Sequence, residues 1–269
     1  MPEIITSLQN NRIKQVVRLQ KHNERMKQNL FVIEGAREIS MALKYGYVVQ
    51  SLFMCPSLPG FYDKILKNLP STIQLIEVTP AVFDKMAYRE QSDGLLALAV
   101  PHKIELEDVQ VNTNPLIIVL ETVEKPGNLG AILRTADAAS ATAVLICDPK
   151  TDIYNPNVIR SSLGCIFSNQ VVTCTSEQAL SFFKKQGIAT FAACLQTNTH
   201  YHHADLSIPM ALVMGTEATG LSDFWLNNST HRIKIPMLGT VDSLNVSAST
   251  AIILFEALRQ RNFNQAQKG

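Results

Sequence analysis

The chain of 269 residues predicts an α/β protein in two parts, the second built on a mostly parallel sheet. Apolar runs of strand length alternate with segments of helical spacing along the whole sequence. A polar interval at residues 101–114 interrupts that alternation once. The run Leu116, Ile117, Ile118, Val119, Leu120 has no polar interruption, as a strand buried on both faces requires.

In chain order, residues 11–29 come first, where Arg12, Lys14, Arg18, Lys21, Arg25 and Lys27 are opposed only by Glu24. Ile13, Val16, Val17 and Leu19 give partial helical spacing, which predicts one amphipathic helix with a basic outer face. Such a charge run is usually a solvated surface, and it is also what a nucleic acid would meet. A strand follows at 30–33, then a turn at Glu34 and Gly35 and a helix with Ile39, Met41, Ala42 and Leu43 facing inward. Strands at 48–55, 73–78 and 95–100 alternate with helices at 61–69 and 81–87, the latter opened by Thr79-Pro80. These elements make a domain of residues 1–100, and residues 101–114 read as a linker.

The second domain, residues 115–269, opens with the buried run and continues into a loop from Glu121 that carries Pro126, Gly127, Asn128 and Gly130. A helix is expected from Ala131, with Asn128 and Arg134 near one helix end, where anions are favoured. Arg134 is equally compatible with a solvated helix face. Strands at 143–147, 171–172, 190–195 and 211–214 and helices at 155–160, 179–186 and 248–261 complete the pattern. In such sheets, ligands sit at the carboxyl ends of the strands.

Composition narrows the classes. A hydrophobic content of 46% excludes wholesale disorder, and a net charge of +1 leaves nucleic-acid binding to a local patch. Five scattered cysteines without CxxC spacing suit neither a disulfide framework nor a zinc centre. With no apolar signal core and no run of the roughly 20 apolar residues a membrane helix needs, a cytoplasmic protein without membrane contact is expected. The first loop lacks both the Gly-Lys-Ser/Thr of a Walker loop and the GxGxxG of a dinucleotide turn. His200, His202 and His203 show no recognised ligand spacing, so no metal site is expected. Ser247 and Ser249 read as helix-start residues rather than nucleophiles.

Three loops remain, at 121–134, 215–221 (GTEATGL) and 235–245 (IPMLGTVDSLN). Gly215 and Gly220 let backbone approach a ligand, and Glu217 offers either a site carboxylate or a helix-start charge. Ser243 and Asn245 precede a helix, where each could be a cap. The combined set of amides, guanidinium, carboxylate and hydroxyl suits holding and orienting a polar reactant better than hydrolysis.

At these loops the sequence resembles the SpoU, or TrmH-type, branch of the SPOUT superfamily of RNA methyltransferases. LETVEKPGNLGAILRTADAA matches the first family motif, ALVMGTEATGL the second, and IKIPMLGTVDSLNVSASTAIILFEALRQR the third. ITSLQNNRIKQVVRLQKHNERMKQNLFVIEG resembles the small substrate-binding domain of the ribosomal-RNA members. The resemblance implies methyl transfer from S-adenosylmethionine to a ribose 2′-hydroxyl of RNA, foremost 23S ribosomal RNA. Transfer RNA as substrate, or a non-catalytic RNA-binding protein on the same fold, are the alternatives. It also implies a deep trefoil knot in the C-terminal domain, a ribosomal-protein-like α/β fold for the N-terminal one, and a homodimer formed through the C-terminal domain. Carried over by motif, Asn128, Arg134, Glu217, Ser243 and Asn245 are the catalytic and substrate-positioning residues. Gly215, Ile235 and Leu244 are the cofactor contacts, with Leu195 and Met237 beside them. Arg12, Lys14, Arg18, Lys21 and Arg25 would meet the RNA, and no metal is required.

Overall fold

The structure, a computed structural model, describes residues 3–59, 62–89 and 92–264. In chain order its elements are β1 (Glu3–Ile5), α1 (Asn11–Arg18), α2 (His22–Gln28), β2 (Phe31–Glu34), α3 (Ala36–Lys44), β3 (Val49–Met54), α4 (Asp63–Lys67), β4 (Gln74–Val78), α5 (Pro80–Met86) and β5 (Leu95–Ala99). There follow β6 (Leu116–Glu121), α6 (Pro126–Ala138), β7 (Ala143–Cys147), α7 (Pro156–Ser161), α8 (Cys165–Ser168), β8 (Val171–Cys174), α9 (Ser176–Gln186), β9 (Ala189–Ala193), β10 (Met210–Met214), α10 (Asp223–Asn228), β11 (His231–Ile233) and α11 (Val246–Gln260). Of the helix expected at 61–69, Phe61 lies outside the described residues.

The chain divides into two compact units, and the division differs from a single cut after the first hundred residues. The first unit comprises Met1–His102 together with Asp152–Ser168, and the second holds the rest. Residues 152–168 belong to the first unit because they carry apolar and aromatic surface that packs there. The rings of Tyr154 and Phe167 lie 4.3 Å and 6.2 Å from that of Phe31, and Gly164, at φ +80°, passes so close to α3 that an added Cβ would sit 3.0 Å from Met41 Cβ.

The first unit has a five-stranded sheet in the order β1-β4-β3-β5-β2, in which β4 runs parallel to β1 and β3 while β5 is antiparallel to β3 and β2. Ile13, Val16, Phe53, Ile76, Val82 and Phe83 lie in its core. The single basic helix expected at 11–29 is two helices. α1 ends where Arg25, on α2, turns back and donates through Nη1 to the carbonyls of Leu19 and Gln20, at 2.8 Å each, and so satisfies acceptors that a continuing helix would have used.

The second unit has a six-stranded sheet, β11-β9-β10-β6-β7-β8, with every pairing parallel. β6 is buried along its whole length at the centre of the sheet, as its unbroken apolar run requires. The stretch read as a linker contributes to this unit, since its short 3-10 turn Leu106–Asp108 places Leu106, with Val109, in the hydrophobic core. The single tryptophan, Trp225, is fully buried there and donates from Nε1 to Ser176 Oγ at 3.0 Å. Arg261, just past α11, donates to the carbonyls of Leu206, Ile208, Asn114 and Pro115 at 2.5–3.3 Å, tying the end of α11 to the entrances of β6 and β10.

Candidate active site

The three loops follow the carboxyl ends of β6, β10 and β11, the position that parallel-sheet topology reserves for ligands. The first is shorter than expected. α6 starts at Pro126 instead of Ala131, because Pro126 at the first helical position needs no N–H donor and already has helical φ. Asn128 therefore sits in the first turn of α6, and Arg134 lies about 9 Å further along the axis by helical rise. The two do not share one helix end. The Arg134 side chain is exposed.

Glu217 is the centre of a polar cluster joining all three loops. Its carboxylate accepts from Lys125 Nζ, from Asn128 Nδ2 at 3.0 Å and from Asn245 Nδ2 at 2.5 Å. Asn245 Nδ2 also donates to Asn128 Oδ1 at 3.1 Å. The other end of the same amide caps α11, with Asn245 Oδ1 accepting from Ser247 N at 3.0 Å. One side chain thus both caps α11 and joins the polar cluster. Lys125, and after it Asn128, hold the Glu217 carboxyl below the usual carboxylate range. Lys125 was not among the residues singled out from the sequence, although it is the only lysine in the first loop.

A cavity of about 340 Å³ opens beside this cluster, within the range of about 300–1,000 Å³ typical of small-molecule sites. Its wall includes Gly215, Ile235, Leu244, Leu195 and Met237, together with Glu217 and Ser243. Met214, Leu221, Ile233, Val246 and Ile253 give it an apolar interior. A smaller cavity of about 80 Å³, lined by Lys125, Asn128 and Glu217, shares residues 215–218 and Val246 with the first.

Gly215 serves a tighter purpose than ligand approach alone. A Cβ there would collide with the Gly220 carbonyl and Leu221 N, because residues 216–220 fold back through Thr216 N to Gly220 O at 3.0 Å and Gly220 N to Thr216 O at 3.1 Å. The loop is further anchored by the buried carboxylate of Glu121, which accepts from Ser222 N at 2.8 Å and Ser222 Oγ at 2.5 Å. Only the contact between these loops reveals that role for Glu121.

Elsewhere, one sequence-based expectation is corrected. Arg25 is not a surface cation: it is 4% exposed and donates from Nε to Asp152 at 2.6 Å as well as to two carbonyls, so it has no face left for RNA. Arg12, paired with Glu3 at 2.7 Å, and Lys14 are half-buried, while Arg18 and Lys21 are exposed. His200, His202 and His203, set aside for want of ligand spacing, converge in one short turn, where a ring nitrogen of each lies within 4.8 Å of the others.

Comparison with known proteins gives this geometry a lineage. The 23S rRNA (guanosine(2553)-2′-O)-methyltransferase RlmP of Bacillus subtilis is 27% identical over 93% of this chain and 97% of its own length. A crystal structure described as an RNA 2′-O ribose methyltransferase is 39% identical, covers 96% of this chain and 99% of its own, and superposes with a TM-score of 0.85. An AdoMet-bound rRNA methyltransferase from Sinorhizobium meliloti is 27% identical, covers 96% of this chain and 97% of its own, and reaches a TM-score of 0.88. Residues 10–97 match the MRM3-like substrate binding domain, and with residues 115–255, which contain all three loops, matching the SpoU rRNA Methylase family, the chain belongs to that family.

Proposed function

We propose that this protein transfers a methyl group from S-adenosylmethionine to a ribose 2′-hydroxyl of RNA, with 23S ribosomal RNA as the substrate. The observation that carries this is that the second and third motif loops line one cavity while the first is bonded to both through a cluster of fixed polar groups beside it. The residues present fit the cofactor. The cavity has the volume and apolar interior for a nucleoside, and Glu217 and Ser243 add polar groups to its wall. Gly215, Ile235 and Leu244, with Leu195 and Met237, would hold it.

The cofactor supplies an activated methyl carbon, and the remaining work falls to this chain's residues. They must keep water out and align the attacking hydroxyl in line with that carbon, a positioning effect that can supply several kcal/mol. Asn128, Glu217 and Asn245 lock the three loops to one another, and Lys125 balances the Glu217 charge. A carboxylate so engaged is a weak base, which suits Glu217 to holding rather than to proton abstraction. Arg134, exposed and charged, clamps the phosphate next to the target ribose and stabilises the developing alkoxide. Ser243, on the cavity wall, orients the reactants.

The domain reading extends from this: the first unit delivers RNA through Arg18, Lys21, Arg12 and Lys14, on a ribosomal-protein-like fold, and the second is the SPOUT domain with its deep trefoil knot. The return of α11 onto α6 after the third loop supports the knot. Leu238, 98% exposed, and Val241 and Leu244 beside it give the C-terminal unit an apolar surface that a second copy would cover, in a cytoplasmic homodimer.

The test is calorimetry with S-adenosylmethionine, then incubation of the loaded protein with unmodified ribosomal RNA and mapping of new 2′-O-methyl positions. One mapped 23S position is the expected result. Methylation of transfer RNA alone would replace the substrate, and no cofactor binding would leave the non-catalytic reading.

A further inference from the structure

Outside the active site, three imidazoles meet on a braced turn. The 3-10 turn Tyr201–His203, in the segment between β9 and β10, sets the rings of His200, His202 and His203 with centroids 5.6, 5.7 and 4.2 Å apart. A ring nitrogen of each lies within 4.8 Å of the other two. The backbone beneath them is fixed on both sides. Tyr201 N donates to Lys234 O at 2.9 Å and Lys234 N to Thr199 O at 3.0 Å, while Gln260 of α11 donates to Ala204 O at 3.1 Å and accepts from Leu206 N at 2.8 Å.

We propose that His200, His202 and His203 bind one divalent transition-metal ion of the zinc class. Imidazole is a borderline ligand that favours zinc, copper and nickel over magnesium or calcium, and three of them satisfy the protein share of an open tetrahedral site. Two nitrogens bound to one tetrahedral ion at about 2.1 Å lie about 3.4 Å apart, so the rings must close by roughly 1.4 Å at most. His202 and His203 are exposed and can rotate to do so, while His200 is half-buried and sets the position. The Glu256 carboxylate on α11 interacts electrostatically with His202 and accepts from Arg259 at 2.8 Å and Gln260 at 2.9 Å, a fixed negative charge facing the site. His200 is bridged to Lys234, which lines the larger cavity of the active site, so a bound ion ties this turn to the strand edge that becomes the cavity wall.

The experiment is titration of the chelator-treated full chain with cobalt(II) and zinc(II), followed by X-ray absorption on the zinc-loaded protein. One equivalent bound, a shell of three imidazoles without sulfur, and at least a tenfold loss of affinity in both His202→Ala and His203→Ala are expected. Zinc should also raise the unfolding midpoint of the parent chain and not of His202→Ala, since an ion bound only by the folded state stabilises it. Binding unchanged by either substitution, sulfur in the shell, or no uptake of either ion would each overturn the proposal, and the absorption result does so without depending on any variant.

Discussion

Two ion-pair clusters, one in each unit, show opposite uses of the same chemistry. In the first unit Arg25 and Asp152 are largely buried, meet at 2.6 Å, and leave the guanidinium with two carbonyls as further acceptors. In the second unit Lys125 and Glu217 meet at the surface, with a pair of amides as neighbours. A buried pair is costly to break because removing one partner strands a desolvated charge. An exposed pair contributes little to stability, so a network of four polar groups assembled from three loops at the surface has its use in what it holds. Burial thus separates the cluster that shapes the fold from the one that shapes the site.

The sharpest way to break this comparison is Arg25→Ala, which should cost about 3–5 kcal/mol in urea unfolding. A decrease under about 1 kcal/mol would mean the buried pair is no more structural than the exposed one. Next, Arg134→Ala should lower single-turnover methyl transfer about 10²–10³-fold with the unfolding midpoint unchanged, the size seen when one oriented charge stabiliser is removed from a reacting oxygen. Near-normal turnover would remove Arg134 from the mechanism.

Replacing Lys125 by Met sharpens the contrast through pH. In the intact cluster the folded-state Glu217 pKa lies below its ordinary value, so the cluster's order is present at neutral pH and lost as pH falls through that depressed pKa. Without Lys125 the carboxyl returns toward the ordinary range, and the acid limb of the activity profile should move to higher pH. An unmoved limb would show that Lys125 does not govern Glu217. The smallest effect is expected at the RNA surface: Arg18→Gln with Lys21→Gln should reduce the slope of log affinity against log salt by about 0.7–0.9 for each phosphate no longer neutralised. An unchanged slope would place RNA elsewhere.

How far the sequence reaches depends on whether the cause of a feature is local. β6 and β7 are legible because a strand buried on both faces has only one pattern, and β7 is bounded as read. The start of α6 is not, since Pro126, Gly127 and Asn128 carry turn signals that a helix N-terminus also accepts. β11 is too short and polar to stand out, with His231 and Arg232 exposed, and exists because β9 offers it an edge. Asn128 and Asn245 were within reach of motif reading because their motifs are local in sequence, although their partners lie in other loops. Lys125 and Glu121 were not, because their partners, Glu217 and Ser222, are far away in sequence. Arg25 misled for the same reason, its partner Asp152 being supplied by a distant segment. The three histidines needed the turn to show that a ring nitrogen of each comes within 4.8 Å of the others.

The segment Asp152–Ser168 has a consequence for how the protein is made. The first unit is completed by residues that leave the ribosome only after β6, α6 and β7 of the second have emerged. A nascent chain halted after residue 100 lacks Asp152, Tyr154 and Phe167, and so presents Arg25 without its counter-charge and Phe31 without two of its aromatic neighbours. The two units therefore mature in overlapping rather than successive intervals of synthesis, and a gene fragment cut at the apparent boundary would encode a half-finished domain.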